Sequence, residues 1–158
     1  MKDDELHEAF LDLSSTLTGY SRFRLLGTGQ ADPYLATTRE AVGEEVLAEL
    51  LTRFTDVNRG AGGDEKALDD GLRARILSDR LLGPVARNVI KMWFVGTWYQ
   101  LPQEWRDVHA TRGHDSTHVV SPASYTEGLL WPTIGANPPG AKAQGFGSWA
   151  APPAIDAP

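Results

Sequence analysis

An all-α fold is what this sequence predicts: a small bundle of about four to five helices followed by an extended Gly/Pro/Ala-rich C-terminal arm. Three observations carry that prediction. Apolar residues recur at helical spacing through most of the chain. Capping residues, prolines and glycines bracket those stretches where helices start and stop. Beyond Gly135 the residues are almost all Gly, Pro, Ala and small polar types, a composition with no core of its own. The chain therefore divides into a helical body, 1–134, and an arm, 135–158, that would pack on a partner.

Asp3 or Asp4 caps the first helix, Leu6, Phe10, Leu13 and Leu17 form its apolar face, and Gly19 stops it. Tyr20 to Ala31 reads as a loop, with Phe23, Leu25 and Leu26 tucking back onto the body. Asp32-Pro33 is an N-cap followed by proline, opening a helix that runs to Phe54. Leu35, Val42, Val46, Leu50 and Phe54 are its inward stripe, widened by Leu47 and Leu51. Glu40, Glu44, Glu45 and Glu49 make the wet face. Asn58 to Gly63 is a flexible connection, and Asp64 caps a third helix toward Leu82 with Leu68, Leu72, Ile76 and Leu77 inside. Gly71 within it costs about 1 kcal/mol relative to alanine.

Everything else is organised around Leu82 to Pro102. Gly83 can end the preceding helix in a left-handed conformation, and Pro84 suits the first turn of the next. Val85, Val89, Ile90, Trp93 and Phe94 lie on one side of that helix, with Ala86, Arg87, Asn88 and Lys91 elsewhere. The rings of Trp93, Phe94, Trp98 and Tyr99 are too dense for an ordinary surface, which marks the middle of a core or the centre of an interface. From Gln103 to Val120 periodicity is lost. Ser121-Pro122 then opens a short helix through Tyr125, Leu129 and Leu130 to Trp131.

Composition removes several classes of function. A net charge of −6 without a basic stripe argues against nucleic-acid binding. With no cysteine there is no disulfide, thiolate metal site, iron–sulfur cluster or thiol nucleophile. No apolar run approaches the roughly 20 residues of a membrane span. The start, Met-Lys-Asp-Asp-Glu-Leu-His, shows no export signal, so a cytoplasmic location is the expectation, or a periplasmic one if the chain travels with a partner or its signal has been trimmed.

The catalytic inventory is close to empty. His109, His114 and His118, with Asp115, are the only grouping that resembles a metal site. His114 and His118 stand one helical turn apart, yet Gly113 and Asp115-Ser116-Thr117 favour a loop, and no His-Glu-x-x-His pattern is present. Their first reading is solvent-facing or hydrogen-bonding, with a metal-dependent enzyme or a partner contact as alternatives. No serine occupies a Gly-x-Ser-x-Gly elbow. Gly27 and Gly29 lack the third glycine and preceding strand of a dinucleotide fold, and Gly60 to Gly63 lack the Lys-Ser/Thr of a phosphate loop. No catalytic, cofactor-binding or metal-binding residue is expected in this chain.

What stands out is the distribution of rings. All five tryptophans (Trp93, Trp98, Trp105, Trp131 and Trp149) fall in the second half. Tryptophan and tyrosine are favoured anchors at interfaces. The candidate partner-binding residues are therefore Trp93, Trp98, Tyr99, Tyr125 and Trp131 on the body, and Phe146 and Trp149 on the arm. For Trp93 and Trp98 a place in the chain's own core is an equal alternative.

Four blocks, in order, resemble one family. They are F-L-D-L-S-S-T-L-T-G (Phe10–Gly19), V-I-K-M-W-F-V-G (Val89–Gly96), S-Y-T-E-G-L-L-W (Ser124–Trp131) and G-F-G-S-W-A-A-P-P (Gly145–Pro153). Together they are similar to the small subunits of bacterial membrane-associated, FAD-dependent sugar and polyol dehydrogenases, the sorbitol, fructose and glucose dehydrogenase complexes. The resemblance implies a non-catalytic subunit that helps a glucose–methanol–choline type flavoprotein fold and load cofactor. The FAD and the hydride transfer would belong to that larger partner, which could pass electrons to an acceptor protein. The sequence departs from the family in lacking both the twin-arginine signal and the cysteine some relatives carry before the terminal Trp motif, so no covalent tie to a partner is implied. An adaptor for an unrelated protein is the remaining alternative.

Overall fold

The computed structural model describes residues 3–109 and 114–138. Its architecture there is all-α apart from one two-stranded pairing. Helix α1 spans Asp3–Thr18 and ends at Gly19, as its sequence predicts. Where a loop was expected, Ser21 accepts a hydrogen bond from the Arg24 N–H and starts a short helix, α2, Arg22–Gly27.

The long helix expected from Asp32 to Phe54 is two helices. α3 (Ala31–Val42) begins one residue before Asp32, and α4 (Glu44–Ala61) follows after Gly43. Gly43 has φ 83°, a conformation that breaks the helical ladder and that side-chain-bearing residues rarely adopt. α4 also consumes most of the expected Asn58–Gly63 connection, stopping at the left-handed Gly62. Asp64 does cap α5 (Glu65–Leu72), accepting from the Ala67 N–H at 2.9 Å. That helix widens into a π-helical turn, Arg73–Leu77, so the expected rod toward Leu82 is interrupted.

Helix α6 (Leu82–Val95) lies at the centre. It packs against α1, α3, α4, the π-helical turn and the C-terminal elements. Phe10, Leu11 and Leu13 of α1, Tyr34 of α3, Leu50, Leu51 and Phe54 of α4, and Val85, Val89, Met92 and Trp93 of α6 form the core. Gly83 does not cap the preceding helix. It lies in the first turn of α6, where an added Cβ would come within 2.5 Å of the Leu77 carbonyl oxygen, so it is needed for close approach.

Gly96 ends α6 in the left-handed conformation. Strand β1 (Thr97–Trp98) follows and pairs antiparallel with β2 (His118–Val119). Between them α7 (Gln103–His109) gives periodicity to a stretch that showed little in sequence. Ser121 caps α8 (Pro122–Thr126) through a reciprocal capping box with Ser124. The helix expected to continue to Trp131 is broken, and α9 (Leu130–Thr133) is a separate turn. No described helix is long and apolar enough to cross a membrane.

Candidate functional site

The rings named from sequence divide into two groups. Trp93 and Trp98 are 1% and 0% exposed, and both belong to the chain's own core. As partner anchors they are a correction: the interface alternative needs exposed rings, and tertiary packing has sealed these. Trp93 meets Tyr34 edge-on, with centroids 4.9 Å apart. Burial pushes the Tyr34 phenol well above its ordinary range, an effect the Ser124 hydroxyl opposes and Glu127 reinforces.

Trp98 is held by an unexpected residue. Asp115, seen in sequence only beside the histidines, is buried. Its carboxylate accepts from the Trp98 indole N–H at 2.9 Å and from the Leu101 N–H at 3.1 Å. The Gln100 side chain donates to the Asp115 carbonyl at 3.0 Å, and the Gln100 N–H donates to the Thr117 hydroxyl at 2.9 Å. Asn88 does similar work from α6. Its side-chain amide donates to the Tyr99 carbonyl at 2.6 Å, while the Tyr99 N–H donates back at 3.3 Å. Trp105, also buried, donates its indole N–H to the Leu81 carbonyl at 2.8 Å.

The histidines do not converge. His109 tilts against the Trp105 ring at 5.1 Å, His114 is exposed, and His118 lies on β2 with Nδ1 2.7 Å from the Ser116 carbonyl. Among the described residues no three His, Asp or Glu side chains form a group that could hold a metal ion.

Tyr99, Tyr125 and Trp131 do reach the surface. Tyr99 stands apart from the other two, on the segment after β1, with the Lys91 ammonium 5.0 Å from its ring centre. Tyr125 and Trp131 are brought together, edge to face at 5.5 Å, and the Trp131 indole N–H donates to the Tyr125 carbonyl at 2.8 Å. Their support comes from α6. The Leu129 N–H donates to the Trp93 carbonyl at 2.9 Å, and the Ser124 hydroxyl donates to the Gly96 carbonyl at 2.9 Å. From the other side the Tyr20 and Thr133 hydroxyls share a hydrogen bond at 2.7 Å.

Beside this pair runs a groove of about 280 Å³ between α2 and the α8–α9 segment. Phe23 and Arg24 line one side, and Trp131, Pro132 and Pro138 the other. Phe23 is 89% exposed, which corrects the expectation that it tucks back onto the body. Phe146 and Trp149 lie outside the described residues. The chain matches no family model, no curated protein and no solved structure.

Proposed function

We propose that this chain is a non-catalytic small subunit of a heteromeric FAD-dependent sugar or polyol dehydrogenase, binding and stabilising the flavin-containing subunit. The observation that carries the reading is an open groove lined by the exposed Phe23 and by Trp131, whose ring packs edge to face against Tyr125. Rings held as Tyr125 and Trp131 are suit the anchoring of another protein, because little side-chain freedom is lost on contact. The family resemblance supplies the identity of the partner: a glucose–methanol–choline type flavoprotein carrying the FAD. Phe146 and Trp149 on the arm would be the remaining anchors, and this chain would lend no group to the hydride transfer.

Purification of the native complex tests this. Flavin absorbance should travel with this chain at fixed stoichiometry, together with a larger subunit that oxidises a sugar or polyol. A chain that purifies without flavin from cells making such a flavoprotein overturns the reading. Truncation after Pro138 should release the partner while the far-ultraviolet circular dichroism of the body stays helical.

A further inference from the structure

We propose that the outer face of α6, where Arg87 and Lys91 stand beside Tyr99, is a second docking surface, and that it takes an acidic segment of a partner protein. The proposal goes beyond the small-subunit reading and stands without it, because its test uses a peptide and no flavoprotein.

The sequence concentrates positive charge here. From Arg73 to Lys91 there are five Lys and Arg residues against one acid, Asp79, and no Asp or Glu occurs between Arg80 and Gln103. A chain of net charge −6 therefore carries +4 on this stretch and −10 outside it. The fold leaves most of these cations uncompensated. Arg73 pairs with Asp69, whereas Arg75, Arg80, Arg87 and Lys91 meet no carboxylate among the described residues. Asp79 is engaged elsewhere, accepting from the Leu81 and Leu82 N–H groups at 2.8 and 2.9 Å.

Helix α6 presents two of these charges as its window on solvent. Arg87 and Lys91 are the only exposed residues among its 14, and their four-residue spacing puts them on one face. Both are held in place. Arg87 donates through one nitrogen to the Leu77 carbonyl at 2.7 Å, at the end of the π-helical turn, and keeps its other N–H groups for a carboxylate. The Lys91 ammonium lies 5.0 Å from the centre of the Tyr99 ring. Asn88 clamps the Tyr99 backbone through both its N–H and its carbonyl, so an exposed phenol borders the cations.

Charge and scale choose the occupant. Two cations one helical turn apart match two carboxylates at the same spacing, and a neighbouring tyrosine is a favoured interface side chain. A nucleic acid would carry its phosphates past this short face and against the −10 remainder. An anionic lipid surface, negative over a wide area, meets the same repulsion. A short acidic segment of a folded partner covers the face alone. The same asymmetry of charge turns such a partner toward α6 before contact.

The probe is a helical peptide with glutamate at every fourth position, titrated at low salt into the isotopically enriched full chain. Backbone amide shifts should concentrate at Arg87, Lys91, Tyr99 and Gln100. Arg87→Gln and Lys91→Gln together should weaken binding about tenfold, and raising salt from about 25 to about 200 mM should weaken the parent complex by a similar factor. Lys91 makes no hydrogen bond in the structure, so Lys91→Gln alone, expected to cost several-fold in affinity, keeps the test decisive if Arg87→Gln loosens the π-helical turn. Arg59→Gln, an exposed cation of α4, should leave binding unchanged. Absence of shifts at low salt, shifts scattered over cations elsewhere, or an equal loss in Arg59→Gln overturns the proposal. So does single-stranded DNA, or a phosphatidylserine vesicle, that engages the same amides more tightly than the peptide.

Discussion

Trp98 and Trp131 end up in opposite settings, and the partners of their indole N–H groups separate them. Trp98 donates to the carboxylate of Asp115, 17 positions away, and is wholly buried. Trp131 donates to the carbonyl of Tyr125, six positions away, and stays partly in solvent. A buried donor left unmade costs about 1–3 kcal/mol, and the Asp115 carboxylate removes that cost for the Trp98 indole. The local bond at Trp131 satisfies the N–H without drawing the ring inward. One region of rings holds the molecule together, and the other is left facing outward.

The comparison predicts a graded set of responses. Trp93→Ala, which empties the ring's place against Tyr34, should cost about 3–5 kcal/mol in urea unfolding. A loss below about 1 kcal/mol would mean that the ring is not core. Asp115→Ala removes the acceptor of two buried donors and should cost about 2–4 kcal/mol, with quenched or red-shifted tryptophan emission as Trp98 meets water. A chain as stable as the parent would show that the β1–β2 corner does not depend on this carboxylate.

The third response is alkaline. Tyr34 has its folded pKa raised above the ordinary 10.0 by burial. Below about pH 10 both states keep the proton and the full stability is present. Above it the unfolded chain ionises while the folded one does not, so stability falls as pH rises. Tyr34→Phe should flatten that alkaline limb when unfolding midpoints are compared between about pH 9 and pH 11. An identical slope in both proteins would contradict the burial of the phenol. Smallest in stability is Tyr125→Ala, no more than about 1 kcal/mol, since only one edge-to-face contact is lost. Its effect should instead fall on capture of the flavoprotein, measured as flavin retained on an affinity column.

Helix capping was the most legible feature. Gly19, Asp64 and Ser121-Pro122 act where their sequence context predicts, because a cap is decided within one turn of chain. The break at Gly43 was not legible. A glycine inside a helix costs only about 1 kcal/mol, too little to announce a break, and its left-handed conformation is visible only in the fold. Asn88 and Asp115 likewise looked like surface or site residues, since their partners Tyr99, Trp98 and Leu101 lie far along the chain. Of the candidate site, Tyr125 and Trp131 were readable from their motif, but Phe23 was assigned inward because α2 itself was unseen.

By itself the sequence determined that this protein is helical, where several of its helices begin and end, and that its rings are concentrated in the second half. Those properties follow from periodicity and from bonds closed within a few residues. Only the tertiary structure decided which rings are sealed and which face outward. That outcome depends on acceptors and close approaches from distant segments, Asp115 beneath Trp98 and the Ser124 carbonyl against Gly96, which no local pattern encodes.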